Sequence, residues 1–215
     1  HSALREILAL GDMPLSNGLL SDSQLSQEEP KIPLTVVFCP ACSLVQIRET
    51  VDPRVLFSPD YPYFSSVSDA WLGHCRDNAL ELIGSRNLGP SSRVVEIASN
   101  DGYLLRNYAE RGIPVLGIDP ASGPAAVARQ NGIPTREAFF GPDLARTLVD
   151  EGIQADVIHA NNVLAHVADL IGVVNGIRTL LTDQGVAVIE VPSISTFDVR
   201  LDGAYEQSPV RIPRS

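Results

Sequence analysis

From residue 93 to residue 192 the chain alternates short apolar runs with longer segments of helical period, and that alternation constrains its fold more than any other feature. The runs of strand length are RVVEIAS (93–99), PVLGIDP (114–120), PTREAFF (134–140), the opening of ADVIHANNVLAHV (155–167) and GVAVIEVP (185–192). Between them lie DGYLLRNYAERG (101–112), GPAAVARQNG (123–132), PDLARTLVDEG (142–152) and DLIGVVNGIRTLL (169–181), which read as helices. Strands joined through helices lie parallel, with right-handed crossovers, so the sequence predicts an α/β fold built on a doubly wound parallel sheet. Such sheets bind ligands outside the carboxyl ends of their strands, where the strand order reverses. Residues just after each strand are therefore the first place to look for function.

The flanking segments have a different texture. Residues 1–58 are rich in proline and polar turn residues. LREILALGDMPLSNGLL offers only a brief apolar stretch before turn signals at Gly11, Pro14 and Asn17–Gly18. IPLTVVFCPACSLVQI reads as two short strands joined at a C-P-A-C turn, a hairpin tipped by a cysteine knuckle. The expected organisation is a small N-terminal module (1–58), a linker and helix (59–84), the sheet domain (85–196) and an irregular tail (197–215) without further elements. Within the linker region, SDAWLGHCRDNALELIG (68–84) predicts a helix capped by Ser68 or Asp69 and stopped at Gly84.

Composition removes several function classes. A formal net charge of -10 argues against a general nucleic-acid binder, which needs clustered Lys and Arg. No apolar run approaches the roughly 20 residues that span a bilayer, and the first residues show no basic-then-apolar leader. Three cysteines, at 39, 42 and 75, do not read as a disulfide framework, so a reducing, cytoplasmic setting is expected. Cys75 reads as a small buried hydrophobe on a helix.

The strand ends carry the chemistry. EIASNDGY places Glu96 near the end of the first run, with Asn100 or Asp101 as cap of the next helix and Gly102 relaxing the turn. The G-x-G-x-x-G that packs a helix against a pyrophosphate is missing, which disfavours a nicotinamide dinucleotide. A ligand bearing an ammonium and a sulfonium but no diphosphate, such as S-adenosylmethionine, suits a carboxylate at this place. GIDP sets Asp119 at the end of the second run, where an acid accepts both ribose hydroxyls or caps the following helix. ANNVLAH ends the fourth run with adjacent amides, Asn161 and Asn162, and then His166, a candidate acid or base or a structural hydrogen-bonding group. His159, inside the strand, reads as a satisfied core histidine.

EIASNDGYLL, GIPVLGIDPA, GIPTREAFFG and ANNVLAHVADL, in this order, closely resemble the sugar C-methyltransferases of antibiotic biosynthesis, which methylate a keto-deoxysugar carried on thymidine diphosphate (TDP). LALGDMPLSNGLL, IPLTVVFCPACSLVQI and LFSPDYPYFSSVS resemble the same family's zinc-binding module and its connection to the sheet. The resemblance implies a Rossmann-like class I methyltransferase sheet with S-adenosylmethionine as methyl donor. It implies that Glu96, Asp119, Asn161 and Asn162 hold the donor, with Ala98, Asn100 and Phe139 or Phe140 around the adenine. His166, with Tyr61 or Tyr63, would face the sugar. Cys39 and Cys42 would be zinc ligands.

Two departures from the family pattern carry consequences. The family's zinc takes two cysteine pairs; only Cys39 and Cys42 are present, and His1 lies near the place of the second pair without completing it. The family also has a Tyr-His-Glu-His segment after the fifth strand, which provides its principal base, and a further C-terminal domain. This sequence reads LDGAYEQSPVRIPRS there, which predicts a truncated and impaired enzyme lacking the edge strands of the sheet. The alternative reading is a non-catalytic module that binds S-adenosylmethionine or S-adenosylhomocysteine.

Overall fold

A computed structural model of the chain describes residues 3–49, 51–57, 61–192 and 207–213. They fall into two units, His1–Tyr63 and Phe64–Ser215.

The first unit is a three-stranded antiparallel sheet, with strand β1 (Arg5–Pro14), β2 (Lys31–Phe38) and β3 (Val45–Ile47) in that spatial order. No sequence signal marks β1 as a strand. Its pairing with β2 shifts register between Glu6 and Leu8 and again between Ala9 and Asp12, where Gly11 takes a φ of 76°. Such bulges break the two-residue alternation by which a strand is read. The predicted hairpin is β2–β3. The Cys39 N–H donates to Leu44 O at 2.8 Å and the Ser43 N–H to Cys39 O at 2.8 Å, with Ser43 left-handed at φ 61°. A short helix α1 (Pro53–Leu56) follows, started by the Asp52 carboxylate accepting the Arg54 N–H at 2.9 Å.

In the second unit, helix α2 (Asp69–Arg86) begins where the Ser68 hydroxyl accepts the Trp71 N–H. It runs two residues past the predicted stop at Gly84 and ends on left-handed Asn87 (φ 53°). The sheet contains β4 (Val94–Ile97), β5 (Val115–Asp119), β6 (Thr135–Glu137), β7 (Ala155–Asn161), β8 (Leu181–Pro192) and β9 (Gln207–Pro213), in the order β6-β5-β4-β7-β8-β9. The first five are parallel, as the alternation predicted. Helices α3 (Arg106–Ala109), α4 (Ser122–Gln130), α5 (Pro142–Asp150) and α6 (Leu170–Leu180) connect them. The chain leaves β4 toward β5 and β6, then crosses back to lay β7 on the other side of β4, which puts the reversal of strand order at β4 and β7.

Two departures from the sequence reading follow from local chemistry. DGYLLRNYAERG is α-helical only over Arg106–Ala109, because the turn from Ala98 to Gly102 carries three left-handed residues and delays the helix. The tail is not wholly irregular and the sheet does not lack an edge partner, since β9 pairs antiparallel with β8. QSPVRIP hides a strand because Pro209 and Pro213 donate no ladder bond, a defect that an edge position tolerates.

Each face of the sheet buries its own core. Val94, Val157 and Val188 point toward Cys75, Ala79 and Leu82 of α2 and toward Leu104, Leu105 and Tyr108. Val95, Ile97, Ile158 and Ala160 point toward Ala145 and Leu148 of α5 and Ile177 and Leu180 of α6. This is a Rossmann-like architecture, a doubly wound sheet with helices on both faces. Leu148 is fully buried between sheet and helices, so Leu148→Ala is expected to lower the unfolding free energy by about 2–5 kcal/mol in urea titration.

Candidate functional site

Glu96 is a carboxylate inside an apolar strand, and the fold gives it little to pair with. It is fully buried, beside Ile118-bearing β5 on one side and opposite His159 of β7 on the other. Among the described residues neither carboxylate oxygen has a well-formed hydrogen bond, although the Tyr103 phenol lies close enough to favour the ionised form. Burial first, and then the charges of Asp119 and Asp101, hold its carboxyl well above the usual range. Burial and the Glu96 carboxylate push the Tyr103 phenol up in turn.

Asp119 closes β5, one strand away. Its Oδ2 accepts the Asn100 N–H at 2.8 Å and its Oδ1 accepts the Ala121 N–H at 2.8 Å. Burial raises its pKa while these two N–H groups pull against the rise. Asp119 therefore does not cap α4, whose N-cap is Ala121 with no side-chain cap bond; its carboxylate instead holds the Asn100 and Ala121 N–H groups at the strand tip. Between the two acids the chain turns through Ala98 (φ 57°), Asn100 (φ 50°) and Gly102 (φ 81°). Neither Asn100 nor Asp101 caps α3, contrary to the sequence reading. The Asn100 Oδ1 accepts the Ser65 N–H at 2.9 Å, and the Asp101 Oδ2 accepts the N–H and hydroxyl of Ser66. These oxygens fasten the 3-10 turn Ser65–Val67 to the strand tip instead.

The other predicted residues lie as follows. Asn161 ends β7, buried, with an Oδ1 that has no hydrogen-bond partner among the described residues. Asn162 is left-handed (φ 55°) and its N–H donates to Glu190 O at 2.7 Å. Phe139 is 42% exposed just beyond β6, whereas Phe140 packs into the core against α5 and α6. His166 sits exposed in the 3-10 turn Leu164–His166. Glu96, Ala98, Asn100, Asp119, Asn161 and Asn162 therefore gather at the carboxyl ends of β4, β5 and β7. Tyr61 and Tyr63 belong to the first unit, where Tyr61 stands edge-on to Phe57 at 5.3 Å and Tyr63 is exposed.

Sequence reading passed over Tyr103, His74 and Glu190. Glu190 is buried to 1% exposure and its Oε2 lies 2.8 Å from His74 Nε2. The signal was present for Glu190, since VAVIEVP holds a carboxylate in an apolar run just as RVVEIAS does. His159 is buried in the core as expected, with Tyr108 Oη at 2.8 Å from its Nε2. Cys75 is buried as expected, and burial raises its thiol pKa.

At the knuckle of the first unit Cys39 is buried and Cys42 exposed. Burial opposes ionisation of Cys39, yet the N–H groups of Cys42 and Ala41 and the Cys42 thiol bring its pKa below the ordinary value. That favours a thiolate, the form that binds zinc. A closed tetrahedral zinc site needs four ligands, and among the described residues no three or more His, Cys, Asp or Glu gather to hold a metal. The knuckle fits half of such a site. His1 lies outside the described residues.

A doubly wound sheet with acids at the tips of its first two strands and no glycine triad is the arrangement of a methyltransferase domain. Residues 72–211 match the family described as "Methyltransferase domain", and the chain belongs to that family. Residues 1–57 match the family described as "Putative zinc binding domain". The chain is 32% identical over 195 residues to C-methyltransferase NovU of Streptomyces niveus, across 89% of this chain and 46% of NovU. It is 34% identical over 95 residues to the ubiquinone biosynthesis O-methyltransferase of Hahella chejuensis, across 42% of this chain and 39% of that enzyme. The chain thus spans less than half the length of these two relatives. An S-adenosylmethionine-dependent methyltransferase of Clostridium acetobutylicum superposes with a TM-score of 0.48 at 18% identity, over 60% of this chain and 54% of that one. No helix among the described residues is long and apolar enough to cross a membrane.

Two measurements test the site as drawn. Glu96 has a folded pKa above its unfolded one, so the unfolded state loses its proton first as pH rises. Stability then falls by about 1.4 kcal/mol per pH unit between the two pKa values. Glu96→Gln removes that loss: without ligand the variant should melt above wild type at neutral pH and converge with it below about pH 4. Parallel melting curves across that range would contradict the burial. Ala98→Gly, which relieves a left-handed alanine, should raise stability by up to about 1 kcal/mol in urea titration.

Proposed function

We propose that this chain carries the methyl-donor-binding domain of an S-adenosylmethionine-dependent C-methyltransferase. Its acceptor would be a keto-deoxysugar linked to thymidine diphosphate, in antibiotic or secondary-metabolite biosynthesis. The observation that supports this best is the acidic pair Glu96 and Asp119 on adjacent parallel strands, close enough that the charge of one raises the pKa of the other. Glu96 presents two buried oxygens without well-formed partners, a suitable counterpart for an ammonium group. Asp119 retains lone pairs beyond its two backbone bonds, enough to accept ribose hydroxyls.

The remaining roles are those that the family resemblance implies. Ala98, Asn100, Asn161 and Asn162 frame the donor at the strand tips, and Phe139, the exposed member of its pair, lies against the adenine. The resemblance assigns His166, and Tyr61 or Tyr63, to the sugar. Bound S-adenosylmethionine supplies an electrophilic methyl group on a sulfonium. Methylation at carbon also requires removal of a proton next to the sugar ketone, and holding acceptor and donor in line supplies much of the acceleration. Cys39 and Cys42 hold a zinc ion together with two ligands from elsewhere, and its role is structural. Similarity to a protein named a C-methyltransferase supports transfer to carbon, and the resemblance stated from the sequence supports the sugar.

Calorimetric titration of the chain should give heat with S-adenosylmethionine and S-adenosylhomocysteine and none with NAD. Asp119→Asn should weaken donor binding by about tenfold or more, the worth of one charge-assisted hydrogen bond. No heat and no thermal shift with either adenosyl ligand would end this reading. Binding without methylation of a TDP-linked keto-deoxysugar would favour a non-catalytic donor-binding module.

A further inference from the structure

Two side-chain oxygens at the tip of β4 hold a segment that precedes the whole sheet. The Asn100 Oδ1 accepts the Ser65 N–H at 2.9 Å. The Asp101 Oδ2 accepts the Ser66 N–H at 3.3 Å and the Ser66 hydroxyl as well. Asn100, Asp101 and Ser65 are buried and Ser66 is exposed, all within the second unit. The other oxygen of Asp101, Oδ1, is buried without a hydrogen-bond partner among the described residues.

One further bond carries this tie to the donor acid. The Asn100 N–H donates to Asp119 Oδ2 at 2.8 Å, with Asn100 left-handed at φ 50°. A left-handed residue other than glycine is held there by its surroundings. Here Ser65 fixes the Asn100 side chain, Asp119 fixes its N–H, and Asp101, next in the chain, clamps the same turn through Ser66. The Asp119 carboxylate is thereby set in one orientation, with lone pairs beyond its two backbone bonds left for a ribose. Acceptors ordered in advance bind more tightly, because the entropy of ordering them is not lost on binding. The Asp101 charge also acts on Glu96 and Asp119, so its bonds and its charge must be told apart. A charge would favour cationic S-adenosylmethionine over S-adenosylhomocysteine, which lacks the sulfonium. A clamp serves both ligands alike.

We propose that Asp101 is a positioning residue for the methyl donor, clamping Ser66 so that, with Asn100 on Ser65, the β4 tip holds Asp119 in its ribose-binding orientation. This rests on the reading of the site as the donor site of a methyltransferase. Asp101 acts through Ser66 and Asn100, not by contact with the donor. Coupling of this kind is reciprocal, so bound donor in turn tightens the Ser65–Val67 turn.

Calorimetry on the full chain, well below the melting temperature of each variant, tests the clamp. Asp101→Ala should weaken S-adenosylmethionine and S-adenosylhomocysteine alike, by about tenfold. Asp101→Asn keeps an acceptor oxygen for Ser66 and should recover most of that loss. Ser66→Ala alters an exposed residue, so it should melt close to wild type yet bind both ligands about threefold more weakly. In the Asp101→Ala background it should add little. Saturating S-adenosylhomocysteine should slow hydrogen exchange at the Ser65 and Ser66 amides by about the tenfold that Asp101→Ala loses in affinity. Wild-type affinity in Asp101→Ala would overturn the proposal, as would wild-type affinity in Ser66→Ala should Asp101→Ala fail to fold. Unchanged exchange at the two amides would overturn it too. So would an Asp101→Asn as weak as Asp101→Ala, or a loss confined to S-adenosylmethionine, since either assigns the effect to charge. A wild-type chain that binds neither adenosyl ligand would instead remove the donor reading itself.

Discussion

The second unit is organised around buried carboxylates on an otherwise apolar sheet face. Glu96 and Glu190 leave β4 and β8 among Val94, Val157 and Val188, where an unpaired charge costs several kcal/mol. The fold answers each acid differently. Glu190 receives an imidazole, and Glu96 receives only a neighbouring phenol and a raised pKa. Polar groups kept this poorly satisfied lower the stability of the empty protein. Perturbed, poorly satisfied groups of this kind cluster at functional sites.

The same constraint explains the turn between β4 and α3. Ala98 and Asn100 are left-handed, a conformation that costs an L-residue about 1–2 kcal/mol. The surrounding bonds hold it: Asp119 accepts the Asn100 N–H, while Asn100 and Asp101 accept from Ser65 and Ser66. A segment 35 residues earlier in the chain is thereby tied to the strand tip. The geometry at the end of β4 is set by β5 and by the Ser65–Val67 turn as much as by its own sequence.

The first unit shows a related division between local and distant partners. Its knuckle is prepared locally, since backbone N–H groups of Ala41 and Cys42 favour the Cys39 thiolate. Among the described residues no further His, Cys, Asp or Glu joins the pair to make a group of three.

Sequence alone determined the parallel sheet, its five parallel strands and the acids at their tips. Strand and helix periods, and a charge inside an apolar run, are properties of neighbouring residues. Donor-site candidates were legible for the same reason, each lying just after a readable strand. Strands β1 and β9 were not legible, because bulges in one and prolines in the other erase the alternation that marks a strand. Nor was the loss of most of the predicted 101–112 helix, whose capping oxygens are taken by Ser65 and Ser66. Only the tertiary structure decided that His74 meets Glu190, 116 residues away. That contact depends on how α2 packs across β8, which no local pattern encodes.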